Sequence, residues 1–482
     1  MRRKEMGTKG TREKAAGWRG LRKKLIGDKR FYKMVLTVTI PIIIQNGITN
    51  FVSLLDNIMV GQVGTEQMSG VAVANQLLFV FNICIFGAIS GAGIFGAQFF
   101  GNQNFEGVRN AFRFKLLFCA ALVIFGILVF LAGGESLISL YLNEEGSAQD
   151  AARTLAYGQS YLMCMLAGLI PYALAQVYSS TLREAGETVL PMKAGIAAVL
   201  VNLVLNYILI YGKFGAPALG VEGAAIATVI SRYVECVIVA FCSHGKKGKA
   251  PYLNGVYRTL RIPSHLAGQI FLRGMPLMVN EALWSAGMAV MMQCYSMRGL
   301  SVIAGLNISS TISNLFNVVY LALGNAVAII VGQLLGAGKM EEARDTDTKL
   351  LAFAVGGCVF IGLLMMAAAP LFPRLYNTTP EVRALAERFI LIVAALMPVQ
   401  AFTNACYFTM RSGGKTFVTF LFDSVFLWVV SIPLAFVLSR FTSLPIVPLY
   451  FLCQAVDIIK CMVGFVMVKR GVWIQNFVAA EK

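Results

Sequence analysis

Charge is scarce in this sequence. Asp, Glu, Lys and Arg make up 13% of its 482 residues, about half of the roughly 25% usual in soluble domains. A soluble chain of this length would bury a large core, but it would need a polar shell that these residues do not supply. Histidine is nearly missing, with only His244 and His265. The ten cysteines form no C-x-x-C and no His–Cys cluster, which argues against a metal site and against a disulfide framework. Cys84, Cys119, Cys164, Cys358 and Cys406 fall in apolar stretches and read as small buried hydrophobes. No phosphate-binding loop, nucleophile elbow or metal-ligand spacing occurs, so the chain does not read as an enzyme and implies no cofactor.

What is present is apolar sequence: 57% of the residues are hydrophobic. Runs such as 116–132, 196–211 and 350–370 approach the roughly 20 residues that span a bilayer. The hydrophobic segments predict an all-α polytopic membrane protein of twelve helices, near 33–60, 69–97, 108–132, 151–181, 189–211, 221–243, 267–297, 301–332, 346–371, 382–410, 416–439 and 446–469. Loops after even-numbered helices are basic (Arg183, Lys193, Lys246, Lys247, Lys249, Arg258, Lys339, Arg411, Lys415). Those after the first and third are acidic (Glu66, Glu135, Glu144, Glu145, Asp150). Positive charge stays on the cytoplasmic side, so both termini are expected there, in a cell (inner or plasma) membrane. The layout is a basic tail over 1–32, a six-helix bundle over 33–243, a cytoplasmic linker over 244–266, a second bundle over 267–470 and a tail over 471–482. The basic tail is read as facing anionic lipid, not nucleic acid, since it has no interleaved aromatics on a folded platform.

The chain repeats itself. Pro41, Gln98, Gly101, Glu106 and Arg109 recur as Pro276, Gln333, Gly336, Glu341 and Arg344, each pair 235 positions apart (276 less 41, 333 less 98). Thr181-Leu182-Arg183-Glu184-Ala185-Gly186-Glu187-Thr188 returns as Thr409-Met410-Arg411-Ser412-Gly413-Gly414-Lys415-Thr416, offset by 228 (409 less 181). Six helices per half make this a parallel repeat, two bundles related by an axis along the membrane normal.

The repeated elements resemble the MATE (multidrug and toxic compound extrusion) family of cation-coupled efflux transporters. Asp56-Asn57-Ile58-Met59-Val60-Gly61, Gly96-Ala97-Gln98-Phe99-Phe100-Gly101, Val331-Gly332-Gln333-Leu334-Leu335-Gly336 and the paired Thr-x-Arg-x-x-Gly-x-Thr elements carry the likeness, which extends from Pro41 to Trp473. The motif residues Pro41, Gln98, Arg183, Pro276, Gln333 and Arg411 read as structural. Arg183 and Arg411 would bond the last carbonyls of their helices, the Gln-x-x-Gly turns would stop helices, and Gly186 and Gly414 would take positive φ.

Ionisable groups at membrane depth are costly unless used or paired, so the chemistry is sought there. The resemblance implies that Asp56, in the first helix, binds the coupling H⁺ or Na⁺, with Na⁺ the one metal ion considered. Asn202 and Asn206 share a face of the fifth helix and are its candidate partners. The DinF-like branch of the family has Asn then Asp at that spacing, and this chain is closer to that branch than to the NorM-like one at the first-helix Asp. Two Asn leave one carboxylate, which favours protons over Na⁺. Asn82 and Asn317 occupy equivalent positions and suggest interhelical hydrogen bonds.

Other branches place a Glu where Trp284 stands and an Asp where Gln400 stands, so their second-half cation site is in doubt here. Glu281, one turn from Trp284, together with Asp423, Gln400 and Asn404, would attract substrate. Trp284, Met288, Met291, Met292, Tyr295, Phe316 and Tyr320 would line a polyspecific cavity. Arg232/Glu235 and Asp457/Lys460 would pair locally at i, i+3, leaving Asp423 without an evident partner.

The expected function is multidrug antiport by a monomer, exporting small organic cations or other xenobiotics in exchange for H⁺ or Na⁺. A lipid-linked oligosaccharide flippase of the same superfamily is the alternative, and it would be expected to line its cavity with basic residues. A channel or receptor explains the duplication less well.

Overall fold

The computed structural model describes residues 25–140, 148–244, 248 and 250–479. The basic segment up to residue 24, Glu144, Glu145, Lys246, Lys247 and Lys249 lie outside the described residues. Among the described residues there is no strand. The helices are α1 (Lys29–Gly61), α2 (Thr65–Gly101), α3 (Phe105–Ser139), α4 in two pieces (Ala148–Leu166 and Leu169–Glu184), α5 (Val189–Tyr211) and α6 (Gly220–Ser243). After a linker with two short 3₁₀ turns come α7 (Ser264–Ser296), α8 (Leu300–Gly336), α9 (Met340–Ala368) and α10 (Pro380–Ser412). The last two are α11 (Thr416–Phe441) and α12 (Ile446–Arg470).

Ten of these are long and apolar enough to cross a membrane, eleven with bent α4 counted as one span. The twelfth, α7, is 33 residues long but carries Arg273, Asn280 and Glu281 among its apolar residues, which lowers its hydropathy. The predicted segments match these helices, most of them a turn or two short of the ends. That shortfall has a local cause: the terminal turns are polar and held by caps. Asn104 accepts from Gly107 N at 2.9 Å at the start of α3, and Thr379 accepts from Val382 N ahead of α10.

Two irregularities were not visible in the apolar pattern. The pieces of α4 meet at 51°, three residues ahead of Pro171 in the second piece. The Gly168 carbonyl at the break, which also accepts from Tyr172 N at 3.2 Å, receives Arg232 Nη1 at 3.4 Å, and the same guanidinium lies 4.8 Å over the Tyr172 ring. Arg232 is therefore spent on the break and makes no ion pair with Glu235, contrary to the i, i+3 expectation. The second irregularity is in α11, where Leu421–Val425 and Leu427–Ser431 are wound as π-helix, a distortion frequent at functional sites.

Polar groups turn inward and apolar ones outward, the reverse of a soluble protein. Lys115, Gln98 and Asp347 are fully buried, while Ile124, Phe125, Leu128 and Leu131 of α3 are each more than half exposed. Such an apolar exterior is matched by lipid. The halves meet where α2 packs on α7 and α8, and where α1 packs on α8. One core lies mostly in the first half and takes in Leu266 and Ile270 of α7, and another joins Phe31, Val35 and Ile42 of α1 to Leu323, Val327 and Ile330 of α8.

Proline and threonine of the repeated motifs also meet. Pro41 lies inside α1, so it cannot bond the carbonyl of Thr37 four residues back. Thr188, the last residue of its motif, donates its hydroxyl to that carbonyl at 3.2 Å. Gly186 and Gly414 take φ of +86° and +73°, as the motif predicted.

Candidate functional site

Three groups of polar side chains lie inside the bundle. The first joins α1, α5 and α6. Asn206 Nδ2 donates to Asp56 Oδ1 at 2.7 Å. With the Asn202 amide turned to satisfy both of its ends, its nitrogen donates to Asp56 Oδ1 and Oδ2 at 3.1 and 3.2 Å, and its oxygen accepts from Thr228 at 3.2 Å. Asn206 Oδ1 is buried and has no partner among the described residues. A carboxylate beside an unengaged amide oxygen is a place that can take up a proton or a small hard cation. The structure thus brings together Asp56, Asn202 and Asn206, and adds Thr228. Asn82 was expected to make an interhelical bond, and its Oδ1 is buried without a partner among the described residues.

The second group lies in the other half, and most of its pairings differ from the local ones expected. Lys460 reaches across to Asp423, Nζ to Oδ1 at 2.5 Å, instead of pairing with Asp457 on its own helix. Asn280 donates to Asp423 Oδ2 at 3.1 Å, so Asp423 is doubly held. Asp457 accepts from Gln400 Nε2 at 2.6 Å. Glu281 accepts from Tyr407 Oη at 3.4 Å. Asn404 Oδ1 is buried without a partner, close against Gly324 of α8. Trp284 is 43% exposed and takes no part in this network. Asp347 escaped the sequence reading: it is fully buried, accepts from Thr409 Oγ1 at 2.6 Å, and its Oδ2 has no partner among the described residues.

The third group surrounds a cavity of about 130 Å³ between the halves, lined by α2, α4, α8 and α10. Its charged wall is Arg183, Glu184 and Arg411. None of Glu281, Trp284, Asp423, Gln400 and Asn404 lines it, nor do the methionines and aromatics expected to. The two arginines do not cap their helices. Arg183 Nη2 donates sideways to Gln45 Oε1 of α1 at 2.8 Å. Arg411 Nη2 crosses to the Ser90 carbonyl of α2 at 3.4 Å. Glu184 is bonded through both oxygens to the fully buried Lys115, at 2.6 and 2.7 Å. Lys115 also donates to Thr181 Oγ1 at 3.0 Å. Lys115, at the head of the apolar run 116–132 and two residues after Arg113, was the available signal for that pair.

The repeated glutamines close one end of the cavity. Gln98 Nε2 donates to the carbonyls of Ser412 and Gln475 at 3.0 and 3.1 Å. Gln333 Nε2 donates to the carbonyl of Glu184 at 2.6 Å. Both motifs do end their helices, at Gly101 and Gly336, but each glutamine side chain serves the opposite half. The C-terminal segment joins this closure: Phe477 packs on Phe95 at 4.8 Å, and Asn476 donates to the Gly336 carbonyl at 3.1 Å. The linker docks on α3, where Arg113 Nε reaches Val256 O at 2.9 Å and Arg109 reaches Asn254 O at 3.2 Å.

The chain is similar to solved transporters over nearly its whole length. An outward-facing multidrug resistance MATE family transporter of the MOP superfamily superposes with a TM-score of 0.81 at 20% identity, over 93% of this chain and 97% of that one. A MATE protein crystallised in complex with MaL6 gives 0.82 at 19%, with the same coverage. Among curated relatives, a probable multidrug resistance protein NorM of Thermotoga maritima is 24% identical over 86% of each chain. A multidrug resistance protein MdtK of Pectobacterium atrosepticum is 26% identical over 83% of this chain and 86% of its own. The MatE family itself matches residues 41–208 and 276–437, one block in each half of the repeat, and this chain belongs to that family of membrane transporters.

Proposed function

We propose that the protein is a multidrug efflux antiporter, exporting organic cations and other xenobiotics in exchange for H⁺ or Na⁺ by alternating access. The observation that carries this reading is a cavity set between two homologous bundles and closed at one end by side chains from both. Rearranging two bundles about such a cavity exposes it to one side and then the other. Relatives named for multidrug resistance support the substrate class.

Coupling is assigned to Asp56 with Asn202, Asn206 and Thr228. Binding of H⁺ or Na⁺ neutralises the carboxylate and changes what the surrounding amides face, which gives the two conformations different affinities for substrate. One carboxylate among neutral amides favours the proton. The Asp56 arrangement supports a reading of the chain as nearer the DinF-like branch than the NorM-like one. Glu281, Tyr407 and the Asp423–Lys460 pair form a second polar region that substrate passes. The protein works as a monomer in the cell membrane, with the closed end, the linker and both termini facing the cytoplasm, as the basic loops favour.

The test is movement of ethidium and norfloxacin in proteoliposomes under separately imposed pH and Na⁺ gradients. Transport driven by one gradient and lost in Asp56→Asn protein is expected. Movement that ignores both gradients would remove the antiport reading, and a gradient response surviving Asp56→Asn would remove Asp56 from coupling.

A further inference from the structure

We propose that Arg183 and Arg411 form a recognition site for an anionic group, a carboxylate carried by an organic substrate, inside the cavity between the halves. The proposal deepens the efflux reading and rests on it for the word substrate, but the site itself is defined by chemistry on its own.

Three observations carry it. The two arginines come from equivalent motifs of the two halves, 228 positions apart (411 less 183), and both line the same cavity. Arg411 is 9% exposed, and Arg183 Nε is buried with no partner among the described residues. Neither guanidinium has a carboxylate within ion-pair distance among the described residues. Arg183 has the Gln45 amide oxygen, and Arg411 has a backbone carbonyl at 3.4 Å, the Phe408 ring at 5.3 Å and the Tyr407 hydroxyl. The acid in the cavity wall, Glu184, is already neutralised by Lys115 at 2.6 Å. Glu184, Glu235 and Glu281 all act on these arginines, but only from beyond ion-pair distance.

A guanidinium offers five donors in a planar fork that matches a carboxylate, and leaving such charge inside a low-dielectric interior without a counter-ion is costly. Two guanidiniums in one cavity meet that cost together by sharing one anion. Ser90, Gln176 and Asn325 also line the cavity and offer neutral polar contacts, so the site suits a compact anionic group attached to a larger, mostly apolar body. Because one arginine belongs to each half, an anion held by both ties its affinity to the relative position of the halves. That is what a substrate must sense in alternating access. A substrate bearing both a cation and a carboxylate would use acidic groups elsewhere and this pair here.

The experiment is calorimetric titration of the purified full-length protein with benzoate and with benzamide, its neutral isostere. Benzoate is expected to bind at least about tenfold more tightly, and the ratio is expected to fall to about one in the Arg183→Gln/Arg411→Gln double variant. The Arg183→Lys/Arg411→Lys variant should retain part of the preference. Equal affinities for the two probes in the unsubstituted protein would overturn the proposal even if the glutamine variant fails to fold, as would a preference that survives the double substitution. Inorganic phosphate displacing benzoate at lower concentration than benzoate itself binds would assign the site to phosphate-bearing ligands and overturn the carboxylate. Benzoate preference in a protein that moves neither ethidium nor norfloxacin would leave this site standing and remove the efflux reading instead.

Discussion

Gln98 and Gln333 clasp the two halves reciprocally: each donates to a carbonyl at the end of a helix in the opposite bundle, Ser412 for the first and Glu184 for the second. The glycine three residues after each one makes the crossing possible. A Cβ on Gly101 would stand 2.0 Å from Gln333 O, and a Cβ on Gly336 would stand 2.0 Å from Gln98 O. The repeated Gln-x-x-Gly is thus a close backbone contact between α2 and α8 as well as a helix end.

Opening of this clasp can be forced. Gly336→Ala puts a methyl group where Gln98 O now lies, and backbone must move; overpacking of this kind costs roughly 1–3 kcal/mol. Spin labels introduced at Asn102 and Ala337 should report a longer, broader distance distribution in the variant than in the parent. An unchanged distribution would mean that the crossing does not hold the end shut.

The Asp423–Lys460 pair, at 2.5 Å with side chains 19% and 14% exposed, should show the asymmetry of buried ion pairs. Lys460→Met leaves the carboxylate with Asn280 alone, a loss on the order of 3 kcal/mol. Asp423→Asn in the same chain removes the stranded charge and should recover most of the loss. Melting temperatures of the purified single and double variants check this, and additive losses would contradict it.

Thr188 answers the proline in α1. Thr188→Ala leaves the Thr37 carbonyl unbonded where Pro41 denies it an N–H, at about 1–2 kcal/mol. Thr188→Ser should be nearly neutral. Adding Pro41→Ala to Thr188→Ala restores a backbone donor and should raise the melting temperature again; a further fall would show that Pro41 acts through another contact.

The linker should loosen in acid. His244, just beyond α6, accepts or donates with Tyr178 Oη at 2.8 Å, and Tyr178 also bonds Tyr257 of the linker. Burial lowers the His244 pKa from its ordinary 6.5, because the charged ring is the form that burial disfavours. The folded state therefore binds the proton less readily than the unfolded chain. The contribution to stability is complete above pH 6.5 and is lost as pH falls through the lower folded value. Amide protection over 250–258, taken relative to the base-catalysed intrinsic exchange rate at each pH, should be greater at neutral pH than in acid, and His244→Gln should flatten that dependence.

Residues 41 to 473 illustrate what local pattern can reveal. Apolar run length located ten spanning helices outright, because the bilayer sets that length whatever the neighbours are. The duplication, read by aligning the chain with itself, gave two bundles and the positive-φ glycines Gly186 and Gly414. Proximity of Asp56 to Asn202 and Asn206 followed from helical spacing together with the family motif.

Partner choice was decided by tertiary structure alone. Lys460 passes over Asp457, three residues away on its own helix, for Asp423 on α11, and Arg232 passes over Glu235 for the Gly168 carbonyl at the break in α4. Spacing along one helix says which side chains share a face, but not what the facing helix offers, and a stronger or better buried partner there wins. Arg183 and Arg411 make the same point at larger scale. Their sequence announces a helix end, and only the packing of two bundles aims both guanidiniums into one cavity.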